Sequence, residues 1–141
     1  MSGEPEGGRQ GGCLCGAIRY RIRVAPADAA FCHCRICQRS SGAPVLLWAS
    51  LPEADLEILR GAPEIFASSP EGRRLFCGAC GTQLFFRHAR WPGQLDLTAA
   101  SLDDPDAIRP RGHIHVGARR ACMEGLAPDL PDFDDEPESF A

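Results

Sequence analysis

Seven of the chain's eight cysteines fall into three short groups, and this grouping constrains the fold more than any other feature. Cys13 and Cys15 stand in GGCLCG, Cys32, Cys34 and Cys37 in FCHCRICQRSSG, and Cys77 and Cys80 in FCGACG. Thiols at this density either form disulfides in an oxidising compartment or bind metal in a reducing one. The N-terminal MSGEPEGGRQGG lacks an apolar stretch of the signal-peptide kind. We therefore expect a cytoplasmic protein with reduced thiols, and metal rather than disulfides.

Zinc takes four sulfur or imidazole ligands in a structural site and keeps one position open in a catalytic one. Cys77-Gly-Ala-Cys80-Gly reads as a knuckle, two thiolates on a turn that glycine allows to close. Cys13 and Cys15 supply a second pair, which completes a set of four. Cys32, Cys34 and Cys37 lie within six positions and can surround a second metal by themselves, leaving one position open. Other arrangements remain compatible with the spacing. Cys13 and Cys15 could pair with central thiols instead, and Cys122, His33, His113 or His115 could close the second site. Iron also suits four thiolates.

At 141 residues the chain is expected to form one domain, residues 12–133, between a disordered tail at 1–11 and an acidic tail at 134–141. Fifteen glycines and twelve prolines leave little room for long helices, so the fold should be mainly β with little helix. AIRYRIRV is the clearest strand, with Ile18, Tyr20, Ile22 and Val24 on one face and Arg19, Arg21 and Arg23 on the other. Further strands are expected at residues 44–51, 56–59, 65–67, 74–76, 83–87, 95–99 and 113–116. Ser101 should cap a short helical turn by accepting from the backbone at Asp104.

All fifteen basic side chains are arginine, as a GC-rich genome would produce, and the net charge is −4. No basic run is present, so no nucleic-acid partner is expected. The longest apolar run, around Val45 to Ala49, is far too short to span a bilayer, so no membrane partner is expected either. An exposed sheet edge would favour a homodimer.

GGCLCGAIRY, CHCRICQRSSG, FCGACGTQLF, ASLDDPDAIRPRGHI and DLPDF together resemble the glutathione-dependent formaldehyde-activating enzyme family, which also includes centromere protein V. The resemblance runs from Gly12 to Phe133. It implies a β-tent of coiled antiparallel sheets with zinc knuckles. It also implies two zinc ions, one structural at Cys13, Cys15, Cys77 and Cys80, and one of catalytic type at Cys32, Cys34 and Cys37. Where the family usually carries an aromatic pair before the DLP motif, this chain has Cys122 and Met123.

The implied activity is that of a carbon–sulfur lyase acting on a small thiol, glutathione, and a small aldehyde such as formaldehyde. Glutathione is anionic, so cations and backbone donors are expected near the open position. Arg35, Arg39, Ser40, Ser41 and Gly42 are nearest in sequence. His113 and His115 should share one face of a strand, within reach of a proton-transfer role. A binding module with both metals structural, or a carrier that holds glutathione without turnover, would use the same ligands.

Overall fold

The computed structural model describes residues 9–26 and 28–137, so of the expected tails at 1–11 and 134–141 the parts 1–8 and 138–141 lie outside the described residues. The strands are β1 (Gln10–Gly12), β2 (Arg19–Ile22), β3 (Asp28–Cys32), β4 (Leu46–Pro52), β5 (Leu56–Arg60), β6 (Glu64–Ala67), β7 (Gly72–Phe76), β8 (Gln83–His88), β9 (Gln94–Thr98) and β10 (His113–Ile114). Among the described residues one α-helix, α1, covers Arg35–Ser41. β1, β2 and β5 form a small sheet, and the large one runs β10-β3-β4-β9-β8-β7-β6. Every pairing is antiparallel except that of β10 with β3. The fold is mainly β, as the glycine and proline content requires.

The pleat of the large sheet separates core from site, because successive side chains along a strand point to opposite faces. Ala29, Ala49, Leu97, Phe85 and Leu75 align across β3, β4, β9, β8 and β7. They are buried and pack against Ile18, Tyr20 and Ile22 from the small sheet. Each large apolar side chain fully buried there contributes about 1.5–3 kcal/mol. The neighbouring row on the opposite face reads Arg74, Phe86, Asp96 and Ser50 across β7, β8, β9 and β4. Trp48 and His88, two residues along their strands, and Cys32, four residues along β3 from Asp28 opposite Ser50, share that second face.

Several local expectations change. Val24 is 38% exposed because the strand ends at Ile22, before it. β1 begins inside the expected N-terminal tail, with Gln10 opposite Arg21. Ser101 does not cap a turn at Asp104. Its hydroxyl donates to the Thr98 carbonyl at 2.8 Å and bonds the Tyr20 hydroxyl at 2.7 Å, while the 3-10 turn Pro105–Ala107 starts without a side-chain cap. The strand at residues 113–116 stops at Ile114, since His115 adopts a left-handed backbone with φ 56°.

The acidic C-terminal stretch turns back onto the domain. Asp135 pairs with Arg90 at 3.0 Å. β6 forms one edge of the large sheet, with Ile65 and Phe66 exposed. Among the described residues no helix is long and apolar enough to cross a membrane.

Candidate metal centres

Cys13 and Cys15 follow β1, and Cys77 and Cys80 sit on the turn between β7 and β8. The four sulfur atoms lie within 4.8 Å of one another. Cys13 Sγ stands 3.7 Å from Cys15 Sγ, and Cys15 Sγ stands 3.8 Å from Cys77 Sγ. Those separations suit a tetrahedron, whose edges measure ~3.8 Å when each metal–sulfur bond is ~2.3 Å. The turn closes because Gly81, at φ 82°, donates its N–H to the Cys77 carbonyl at 2.7 Å.

Backbone and hydroxyl donors surround these sulfurs. The Ile18 N–H donates to Cys13 Sγ at 3.2 Å, and the Thr82 hydroxyl lies 3.2 Å from Cys80 Sγ. Thr82, through side chain and backbone, pulls the Cys80 thiol down to about 5. The Leu14 N–H also donates to the Thr82 hydroxyl at 3.0 Å, so the two turns are tied directly. A metal here would bridge the small sheet to the large one.

The second group is built where β3 runs into α1. Cys32 ends β3 and is buried, Cys34 caps α1, and Cys37 is buried in its first turn. Their sulfurs lie within 4.8 Å of one another, with Cys37 Sγ 3.4 Å from Cys32 Sγ. Cys34 Sγ accepts the Cys37 N–H at 3.2 Å. Hydrogen bonds from Cys32 and Cys37 lower the Cys34 thiol, while the same contact with Cys34 raises Cys32. The helix was not expected from sequence. Ser40-Ser41-Gly42 forms its last turn and C-cap, with the Gly42 N–H donating to the Gln38 carbonyl at 2.8 Å.

Arg74 belongs to the same site. It is 4% exposed, donates to Cys37 Sγ at 3.5 Å and to the Ser40 hydroxyl at 3.3 Å, and lies over the Phe86 ring at 4.8 Å. Among the described residues its Nε has no hydrogen-bond partner. It forms no salt bridge to a carboxylate among the described residues. A buried guanidinium without a carboxylate is costly unless another anion faces it. Cysteine thiolates supply that charge, so both groups have the donor chemistry of a thiolate-bound metal.

No Cys122 or histidine nitrogen joins the three-thiol group among the described residues. Cys122 is exposed. His33 and His113 are buried and bond each other, Nε2 to Nδ1, at 2.9 Å, and His113 Nε2 reaches the Ala127 carbonyl at 3.0 Å. His113 Nε2 therefore carries a proton, His113 Nδ1 accepts one from His33, and His33 Nδ1 is left without a partner. Burial first, then the Arg119 charge, push His33 down to about 4. His113 and His115 do not share a face, since the left-handed residue rotates His115 out to line a cavity.

That cavity, about 360 Å³, is walled by Cys32, Cys34 and Cys37 at one side. It falls within the roughly 300–1,000 Å³ typical of small-molecule sites. Trp48, Phe86, Trp91 and Ile114 supply apolar walls, while Arg74, Arg90, His88, Asp96, Asp135 and Glu136 supply charge and polarity. Arg35, Arg39, Ser40, Ser41 and Gly42, the expected anion contacts, are not among the residues that line this cavity. Arg35 is turned to Gln38 Oε1 at 2.6 Å, Arg39 is exposed, and the Ser40 and Ser41 hydroxyls donate to the Cys37 carbonyl at 3.3 and 2.7 Å. Of these five, Ser40 adjoins the cavity wall, since its hydroxyl accepts from Arg74 at 3.3 Å.

The arginines that do line the cavity, Arg74 and Arg90, are distant in sequence from the central cysteines. Asp96 was also missed. In LDLT it alternates with leucines and reads as a solvent-facing residue, yet it is 8% exposed. Burial pushes its carboxyl up to about 6, against hydrogen bonds from Ser50 and Gln94. A raised carboxyl stabilises the fold below the ordinary Asp range and loses that contribution as pH rises through the folded value. Asp96→Asn should therefore raise stability at pH 8 by about 2–3 kcal/mol and by roughly half that at pH 5, read from urea unfolding of the zinc-loaded protein at both values.

Comparison with known proteins agrees with this architecture. The sequence profile of the family "Glutathione-dependent formaldehyde-activating enzyme" matches residues 8–118. A Halomonas elongata protein, provisionally named for the same enzyme, is 33% identical over 116 residues, 76% of this chain and 73% of that protein. An uncharacterized lyase of Schizosaccharomyces pombe is 28% identical over 79 residues, 56% of this chain and 57% of that one. The crystal structure of a Rhodobacter sphaeroides protein shares the fold at TM-score 0.56 and 21% identity, covering 87% of this chain and 98% of that one. With its cysteine groups in place and most of its length matched, the chain belongs to the glutathione-dependent formaldehyde-activating enzyme family.

Proposed function

We propose that the protein joins a small thiol, glutathione, to a small aldehyde such as formaldehyde, and catalyses the reverse carbon–sulfur cleavage. In this reading Cys13, Cys15, Cys77 and Cys80 would hold a structural zinc, and Cys32, Cys34 and Cys37, which line the cavity, would hold a second zinc with three protein ligands. The observation that carries it is the three-thiol wall of that cavity, with no fourth cysteine or histidine in the group among the described residues. Bound zinc supplies a positive centre that favours the thiolate form of an entering thiol at neutral pH.

The chain's own residues do the rest. Cys32 and Cys37, both buried, fix the back of the site, while the half-buried Cys34 borders its opening. Three cysteine thiolates and a fourth thiolate outweigh the charge of one divalent ion by two units. Arg74, against Cys37 Sγ and lining the cavity, offsets part of that excess. Trp48, Phe86, Trp91 and Ile114 keep water from much of the wall, which strengthens charge interactions inside it.

The test is the rate of exchange between free formaldehyde and its glutathione adduct, followed by magnetisation-transfer NMR with the zinc-loaded protein. Exchange faster than the spontaneous rate supports the proposal. Glutathione binding without faster exchange identifies a carrier instead. Arg74→Gln should weaken glutathione binding about 10- to 100-fold, the scale of a lost charge-assisted contact, with zinc content unchanged. Calorimetry and metal analysis on the same sample measure both.

A further inference from the structure

Addition of a thiol to an aldehyde leaves charge on oxygen unless a proton arrives there, and the cysteine ligands have none to give. We propose that Asp96 carries this proton, taking it from the entering thiol and delivering it to the aldehyde oxygen. The inference rests on the thiol–aldehyde reading of the cavity and names a catalytic residue within it.

Asp96 stands at the middle of β9, on the cavity face and in the same cross-strand row as Arg74 and Phe86. Ser50 Oγ donates to it at 2.6 Å and Gln94 Nε2 at 3.3 Å, both to Oδ1. Oδ2 has no partner among the described residues, so one oxygen is anchored and the other is left for exchange with a bound molecule. The charged and titratable groups around it are Cys37 on α1, Arg74 on β7, His88 on β8, Arg90 in the following turn, and Asp135 and Glu136 from the C-terminal stretch.

The histidines and Asp135 have partners of their own, His115 Nε2 standing 4.0 Å from Asp135 Oδ1, and Glu136 is coupled to Asp96. His33 and His113 bond each other and do not line the cavity. His88 Nδ1 accepts the Arg90 N–H at 3.1 Å, and Asp135 is tied to Arg90. Burial, and then repulsion from Asp96, push Glu136 up to about 7, so the two carboxyls do not ionise independently. With Asp96 itself raised by burial, protonated and ionised forms coexist close to neutrality, as a group that both takes and gives a proton requires.

The step balances without a further reactant. The ionised Asp96 carboxylate takes the thiol proton as the thiolate forms. The sulfur lone pair then makes the carbon–sulfur bond, the carbonyl π pair moves to oxygen, and the Asp96 proton passes to that oxygen. The hydroxyl of the hemithioacetal results, and Asp96 is ionised again. In reverse, Asp96 takes the hydroxyl proton as the carbon–sulfur pair returns to sulfur.

Asp96→Asn, zinc-loaded and full length, should lower catalysed exchange about 100-fold or more, the scale of a lost general acid–base group. Glutathione affinity by calorimetry should fall far less than exchange, because the thiol proton can pass to buffer on binding, whereas delivery of a proton to the aldehyde oxygen belongs to the transition state. A readout independent of turnover is the carboxyl 13C NMR signal of labelled aspartate, assigned by its loss in Asp96→Asn. It should titrate well above the ordinary Asp range, and move further up in Ser50→Ala, which removes a donor that favours the carboxylate. Wild-type exchange in Asp96→Asn, or a carboxyl titrating in the ordinary range, would overturn the role of Asp96 and leave the thiol–aldehyde reading standing. Wild-type protein that does not accelerate exchange would remove both.

Discussion

Cys77→Ala is expected to leave the chain largely unfolded at neutral pH, with far-UV circular dichroism of a disordered polypeptide and no zinc at the four-thiol site. Cys77 is 1% exposed and its sulfur lies against Cys15 across the junction of the two sheets. Without that thiolate the small sheet is held by Ile18, Tyr20 and Ile22 against the core and by a few polar contacts, of which Leu14 to Thr82 is one. Structural zinc in small domains contributes about 10–16 kcal/mol, comparable with or larger than the ~5–15 kcal/mol net stability of a typical domain. A strong chelator should unfold the wild-type chain in the same way. An unchanged spectrum in Cys77→Ala would show that the apolar core suffices without the metal.

Cys34→Ala should behave differently. Cys34 is half-buried at the start of α1, so the fold loses one N–H···S cap, a change of about 1 kcal/mol. The protein should remain folded with one zinc per chain, while the second zinc and glutathione binding are lost and exchange falls to the spontaneous rate. Two cysteines, Cys32 and Cys37, would remain for a metal that prefers four ligands. The contrast between the two alanine variants separates a site that holds the fold from one that serves chemistry. Equal loss of structure in both would merge those roles.

The strands whose residues alternate in polarity were legible because period-two patterning states which face packs. Ile18, Tyr20 and Ile22 are 2% exposed or less, as that pattern required. The four-plus-three division of thiols was also legible, since three ligands within six residues can meet without help from elsewhere. β3 and α1 were not. Ala29 and Ala30 carry too little side chain to mark a strand, and a seven-residue helix has no room for a helical repeat. What the sequence hid most was the far wall of the cavity. Arg74 and Asp96 look like ordinary alternating polar residues along their own strands. Only the register of β7, β8 and β9 shows that they share a buried face with Cys32 and Trp48.

The most direct test is a native mass spectrum of the zinc-loaded protein with and without glutathione. The account predicts two zinc ions per chain and a glutathione adduct, with Cys34→Ala keeping one zinc and losing the adduct. Two zinc ions with no adduct would mean that the three-thiol site is closed by another ligand, and would contradict the account at its centre.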